Sequence, residues 1–410
     1  MSKADSRALK LPQVNPYPPS GLPTLFEIWA DRKDVKERLT RSFNAAFAAA
    51  EPLVIEVSGP VGSGKSHTLK HFKFLMEKGW DDTRVLPLYM DTPGYELLDF
   101  YNRFISTVQM ERIVTALRNL QAAVVVSQSA ELQKAFAEGK ATGKIVEDTL
   151  SQARLFENVR RAIMGILNEM KPIRSGGSYS DYWGNLASAL AFLVLGADWN
   201  FIATKWLTFG TIYKSEIQLL RDRDPSFNIY KASPAYIAYC IAGILSLICR
   251  QDKYDKVVLF IDEMEAISEG SKDAMTQLAE CLRHLIDTQL PGLVLVMGFT
   301  TSAKAVFKEK TALTERIHTI VKLDPLKPED AVEFASQYIE QSSGKQWKDL
   351  FGLEQMRIMN AATGGKTRQL TETLYIAYEI AKRIDPKEPK DFGVKAANEA
   401  VAEAKTRGII

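Results

Sequence analysis

One eight-residue stretch limits what this chain can fold into more than any other. Residues 59–66 read Gly59-Pro60-Val61-Gly62-Ser63-Gly64-Lys65-Ser66, a glycine set four residues ahead of Gly-Lys-Ser. The run before it, Leu53 to Ser58, is β-prone and mostly apolar, and the run after it places Leu69, Phe72, Leu75 and Met76 on one helical face. Strand, glycine loop and helix N-terminus in that order form a cradle for phosphate. The glycines let backbone N–H groups close around phosphate oxygens, and the helix end adds partial positive charge. In such a loop Lys65 reaches the β- and γ-phosphates and the Ser66 hydroxyl binds Mg²⁺. The nucleotide-binding run is read as Gly59, Pro60, Val61, Gly62, Ser63, Gly64, Lys65, Ser66 and His67, with ATP and Mg²⁺ as the expected ligands.

The chain is 410 residues long, 46% hydrophobic and 25% charged, enough for a sizeable core and two to three domains. A net charge of +2 announces no bulk nucleic-acid binder. Cys240, Cys249 and Cys281 form no Cys-x-x-Cys pair, so free thiols in a reducing compartment are expected rather than structural zinc. Met1 to Lys10 is polar and charged, unlike a signal peptide, and a cytoplasmic location is the expectation. Leu186–Ala197 and Ala235–Cys249 are apolar but shorter than the roughly 20 residues a spanning helix needs, so buried helices are expected and no membrane.

Five segments follow in order. Residues 1–50 open with a proline-rich arm, which either drapes over a core toward a nucleotide base or is a loose tail. A helix follows with Val35, Leu39, Phe43 and Phe47 at helical spacing and Asp31 as N-cap. Residues 51–106 hold the first strand, the loop, its helix, a second strand Val85–Met90 and a helix from near Tyr95. Pro87 lacks an N–H and belongs on a sheet edge. Residues 107–250 show only helical patterns, among them 113–126, 130–137, 145–170 and 235–249, and read as an α-helical insertion broken at Gly176-Gly177-Ser178. Residues 251–325 return to strands at Val257–Ile261, Leu293–Thr301 and Ile317–Leu323. Residues 326–410 are helical, with a long helix from Gln369 to Arg383 after Gly364-Gly365-Lys366-Thr367-Arg368.

The third strand ends in Asp262-Glu263, with five apolar residues before the pair. An Asp there holds the Mg²⁺ shell and the adjacent Glu activates water as general base. Thr300 ends the next strand, where a polar side chain can orient that water. Arg316 is either an arginine finger toward a neighbouring subunit or a solvated arginine. Arg368 follows a glycine pair at a helix start, placed to contact a γ-phosphate in cis, with Lys366 as the substitute cation. Lys304, Lys308 and Lys310 either touch backbone phosphates of DNA or form a solvated loop.

Phosphate loop, Asp-Glu strand, polar strand end, Arg316 and the Gly-Gly-x-x-Arg element together resemble the AAA+ ATPases, of the origin-recognition and STAND-type clade. That resemblance implies an α/β fold: a five-stranded parallel sheet of order 5-1-4-3-2 with a large helical insertion and a helical C-terminal lid. Trp206-Leu207-Thr208-Phe209-Gly210 and Asp262-Glu263-Met264-Glu265 are similar to the ATP-binding proteins of BREX-type phage-defence systems. The resemblance implies ATP hydrolysis, a homo-oligomer and a DNA transaction with non-specific DNA contact. It also implies a helicase or other operon partner in antiviral defence. The alternative is a slow nucleotide-gated switch that recruits a protein without acting on DNA.

Overall fold

The computed structural model describes residues 14–20, 27, 29, 32–49, 51–128, 134, 152–170, 179–303, 312–343, 352–383 and 392–410. Its centre is a five-stranded sheet of β1 (Leu53–Gly59), β2 (Val85–Met90), β3 (Lys256–Ile261), β4 (Leu293–Thr300) and β5 (Thr319–Lys322). The order is β2-β3-β4-β1-β5 and every pairing is parallel. This is the fold expected from the sequence, read from the other edge. Pro87 sits on β2, whose one neighbour is β3, so its missing N–H interrupts no inner ladder.

Side chains of the strands alternate between two cores. On one face Val258, Phe260, Val294, Val296, Ile55 and Val57 meet α1 (Lys33–Ala48) and α2 (Lys65–Lys78) through Leu39, Phe43, Leu69 and Phe72. On the other face Leu86, Leu88, Val257, Leu259, Leu293 and Leu295 join a continuous cluster with the helices between β2 and β3. Those helices are α3 (Leu97–Val108), α4 (Met110–Gln128), α5 (Gln152–Leu167), α6 (Tyr179–Phe192), α7 (Ala197–Leu207), α8 (Lys214–Arg223) and α9 (Pro234–Asp252). The same cluster takes in α10 (Lys272–Asp287) through Leu278, Cys281, Leu282 and Leu285. The inserted helices and the sheet therefore share one hydrophobic interior.

Several boundaries differ from expectation for local reasons. Helix α1 begins at Lys33 with Arg32 as its N-cap, and Asp31 lies outside the described residues. Helix α9 is 19 residues, longer than the apolar run Ala235–Cys249. Ser233 caps it by accepting from the Tyr236 N–H, and Pro234 takes the first helical position. It is long and apolar enough to cross a membrane, yet 67% of its most apolar window is buried inside the protein. Burial, not length, decides its reading as a core helix. β5 is shorter than Ile317–Leu323, although His318 and Leu323 still donate backbone bonds to Val54 and Ser58 of β1. The stretch 130–137, apart from residue 134, the first part of 145–170, Gly176–Ser178, Lys304, Lys308 and Lys310 fall outside the described residues.

The C-terminal helices α11 (Pro328–Ser343), α12 (Leu353–Thr363), α13 (Thr367–Arg383) and α14 (Phe392–Thr406) enclose a third core of their own. Tyr17 of the N-terminal arm is part of it. Its ring is 1% exposed, and its hydroxyl donates to the Ala335 carbonyl at 2.9 Å. Asn15 donates from Nδ2 to the Tyr375 carbonyl at 3.0 Å and to Glu379 Oε1 at 2.9 Å. The described part of the arm thus docks on the C-terminal helices, which neither sequence alternative contained.

Candidate nucleotide site

The phosphate loop joins β1 to α2, and its backbone explains its glycines. Gly62 (φ +79) and Gly64 (φ +92) lie in the left-handed region, where a side chain is strained. Lys65 opens α2, buried, and donates from Nζ to the carbonyls of Gly59 at 3.2 Å and Pro60 at 3.1 Å. Burial lowers its pKa, while Glu265, Asp262 and Glu263 oppose that shift. Ser63 is fully buried, with no partner for its hydroxyl among the described residues, and its carbonyl accepts from Arg32 Nη1 at 2.8 Å. Arg32 Nη2 donates to the Asp324 carbonyl at 2.6 Å, so one guanidinium ties the loop to the chain leaving β5.

A cavity of about 210 Å³ opens beside this loop. Val61, Gly62, Gly64, Lys65, Ser66 and His67 line it from the loop side, whereas Gly59, Pro60 and Ser63 support the loop from behind. Asp262, Glu263, Glu265 and Thr300 line it from the ends of β3 and β4. The parallel sheet brings these carboxyl ends of its strands to one edge, the usual place for a ligand in such sheets.

Asp262 is 2% exposed and both its oxygens carry donors. Tyr89 donates its hydroxyl to Oδ2 at 2.7 Å, and the Glu263 N–H donates to Oδ1 at 2.9 Å. Glu263 takes a left-handed conformation (φ 46) and caps a short 3₁₀ turn, Met264–Glu269. Burial raises its pKa above the ordinary carboxylate range, reinforced by Asp262, Glu265 and Asp91 and opposed by Lys65. The 3₁₀ turn brings Glu265 back to the cavity, where its Oε2 accepts from the Thr300 N–H at 3.2 Å. Sequence reasoning passed over Glu265 as part of a motif string and missed Tyr89 altogether. The acidic residue two after Glu263 was a usable signal for the first, while nothing local marked the second.

The C-terminal helices complete the cavity. Phe334 and Tyr338 of α11 and Thr367, Arg368 and Thr371 of α13 complete its lining. The N-terminus of α13 rests on the loop: the Arg368 N–H donates to the Gly62 carbonyl at 3.4 Å. A Cβ at Gly62 would sit 3.7 Å from Lys366 and 3.8 Å from Arg368, and one at Gly64 would sit 3.5 Å from Thr367. The Arg368 guanidinium is 58% exposed and pairs with Glu372 at 3.4 Å. Arg316 stands apart from the cavity, at the end of the 3₁₀ turn Ala312–Arg316, in an ion pair with Asp287 of α10.

The donor set fits a hard divalent cation held jointly with phosphates. Ser66 and Asp262 face one cavity and offer oxygen ligands. Among the described residues no group of three or more His, Cys, Asp or Glu side chains forms a metal cage. Mg²⁺ needs none, since it takes one or two protein ligands and completes its shell with phosphate oxygens and water.

No family profile matches the chain, and no curated protein matches it. Among solved structures it is similar to the ORC2 protein of Aeropyrum pernix, determined as ADPNP–ADP complexes. The identity is 12%, the match covers 93% of this chain and 70% of that one, and the TM-score is 0.42. A likeness this loose transfers no property, and the fold stands on the strand order and the helices described above.

Proposed function

We propose that the cavity binds ATP with Mg²⁺ and hydrolyses it, and that nucleotide state sets how the lid seats on the phosphate loop. The observation that carries this reading is the convergence on one cavity of Lys65, Ser66, Asp262, Glu263, Thr300 and Arg368 from four separate parts of the chain. Lys65 and the loop N–H groups hold the phosphates, and Ser66 and Asp262 hold the ion. An ion held there would supply neutralisation of charge on the phosphate oxygens. Glu263 takes a proton from the attacking water, Thr300 orients it, and Arg368 reads the γ-phosphate from the lid. Arg316 acts from a neighbouring subunit of a homo-oligomer.

A second reading, the slow nucleotide-gated switch, has its own support. Arg368 is paired with Glu372 and Arg316 with Asp287, so both candidate transition-state cations are engaged by carboxylates of the same chain. A lone chain of this kind binds nucleotide and turns it over slowly until a partner rearranges those pairs. Non-specific DNA contact, a helicase partner and a defence role rest on family resemblance alone and add nothing to either reading.

Nucleotide binding and turnover by the parent chain, Lys65→Ala and Glu263→Gln test the proposal. Lys65→Ala abolishes ATP binding; unchanged affinity refutes the site. Glu263→Gln keeps binding and blocks hydrolysis, and turnover at the parent rate refutes its role as base. Multiple turnovers by the parent chain alone favour the first reading, and slow turnover that speeds only when a protein partner is added favours the second.

A further inference from the structure

The carboxylate of Asp262 is held by a residue that does not itself line the cavity. Tyr89 lies on the edge strand β2, in register with Phe260 of β3. The β2–β3 ladder continues past the end of β3, because the Asp262 N–H donates to the Met90 carbonyl at 2.9 Å. That bond fixes the backbone of Asp262 against β2, and the 2.7 Å hydroxyl contact then fixes its side chain. From the other side α2 holds the Tyr89 ring, with Lys70 Nζ 5.2 Å from the ring centroid.

We propose that Tyr89 is a positioning residue for the metal: its hydroxyl orients the Asp262 carboxylate toward the ion held with nucleotide phosphates. This rests on the Mg²⁺–nucleotide reading of the cavity.

The physical reason is rotational. The carboxylate turns about a broad, roughly two-fold torsion, so side-chain packing alone leaves its oxygens poorly aimed. The N–H of Glu263 belongs to the next residue and follows the same turn, so it aims Oδ1 only relative to that turn. Tyr89 comes from another strand and references Oδ2 to the sheet. Each oxygen keeps a lone pair after accepting one donor, which leaves capacity for an ion or an ion-bound water. Residues that orient a metal ligand in this way change metal affinity by about 10–100-fold when removed.

Mg²⁺ titration of binding of a non-hydrolysable ATP analogue tests this without relying on turnover. The proteins are the parent full chain, Tyr89→Phe, Asp262→Asn and the double variant. Tyr89→Phe keeps the ring and its contact with Lys70. It raises the half-saturating Mg²⁺ concentration about tenfold or more, with metal-free analogue affinity at the parent value and a chain that still melts cooperatively. In the Asp262→Asn background the same change has no further effect on Mg²⁺ dependence. Four results overturn the positioning role: an unchanged half-saturation, a lowered one, an equal loss of metal-free and metal-loaded binding, or full additivity in the double variant. A parent chain that binds no analogue with or without Mg²⁺ overturns the nucleotide reading itself, and the role of Tyr89 with it.

Discussion

Replacing Tyr17 measures how firmly the N-terminal arm holds the lid. The ring lies 5.5 Å from Tyr338 and 6.1 Å from Tyr378, centroid to centroid, and its hydroxyl bonds the Ala335 carbonyl. Tyr17→Phe keeps the ring and removes that bond, which costs about 1 kcal/mol. Tyr17→Ala also removes a buried ring, and such losses run at about 3–5 kcal/mol in a core that cannot relax. The arm sets a ceiling on that figure. Once the loss exceeds the free energy of docking, residues 14–20 leave the lid and further loss adds nothing. Removal of residues 1–20 supplies the ceiling directly, and Tyr17→Ala approaches it. The assay is hydrogen exchange of the amides of α11 and α13, read beside urea unfolding. Exchange near Ala335 and Tyr375 accelerates in the order Phe, Ala, deletion, while β3 and β4 stay protected. A Tyr17→Ala protein within about 0.5 kcal/mol of the parent, the range of an ordinary surface change, refutes the docking argument.

The roles proposed for Glu263 and Arg316 make further predictions. Glu263 holds its proton to higher pH than an ordinary carboxylate, so its basic form appears later on the pH scale. The acid limb of kcat/KM for ATP hydrolysis, which reports the free enzyme, therefore lies higher than an unperturbed glutamate would place it; a limb at or below the position of an unperturbed glutamate contradicts Glu263 as the base. Arg316 lines no part of the cavity, so Arg316→Ala leaves ATP affinity of a dilute single chain unchanged and lowers turnover only at concentrations where chains assemble. A concentration-independent loss contradicts action from a neighbour.

What the sequence made legible was local or strongly patterned. The phosphate loop carries its glycines, lysine and serine in eight consecutive positions. β3 declares itself through unbroken apolar residues, and Pro87 marks an edge by its missing donor. What stayed hidden depends on contacts far apart in the chain. Tyr89 reaches Asp262 across the whole inserted region, and Asn15 reaches Tyr375 and Glu379 across nearly the whole chain. No periodicity encodes either contact. Helix α9 is an intermediate case, because Ser233-Pro234 is a readable start signal that the apolar run drew attention away from. Glu265 came within reach of the sequence, but only the 3₁₀ turn after Glu263 shows that it returns to the cavity.

The division of the apolar interior has a mechanical consequence. The inserted helices are fused to the sheet through one unbroken cluster, so they cannot swing away without exposing oil to water, at about 25 cal/mol for each Å². The apolar cluster of the C-terminal helices takes in Tyr17 of the arm and Leu326, and none of its described residues comes from the sheet. Several bonds that tie these helices, or residues 29 and 32 of the N-terminal segment, to their surroundings are polar ones: Trp29 N–H to Gln337, Arg32 to the Ser63 and Asp324 carbonyls, Arg368 N–H to Gly62. Each is exchangeable for water at about 0.5–1.5 kcal/mol. The inserted helices are therefore tied to the sheet by apolar burial, and the C-terminal helices are tied to residues 59–66 by an exchangeable polar bond.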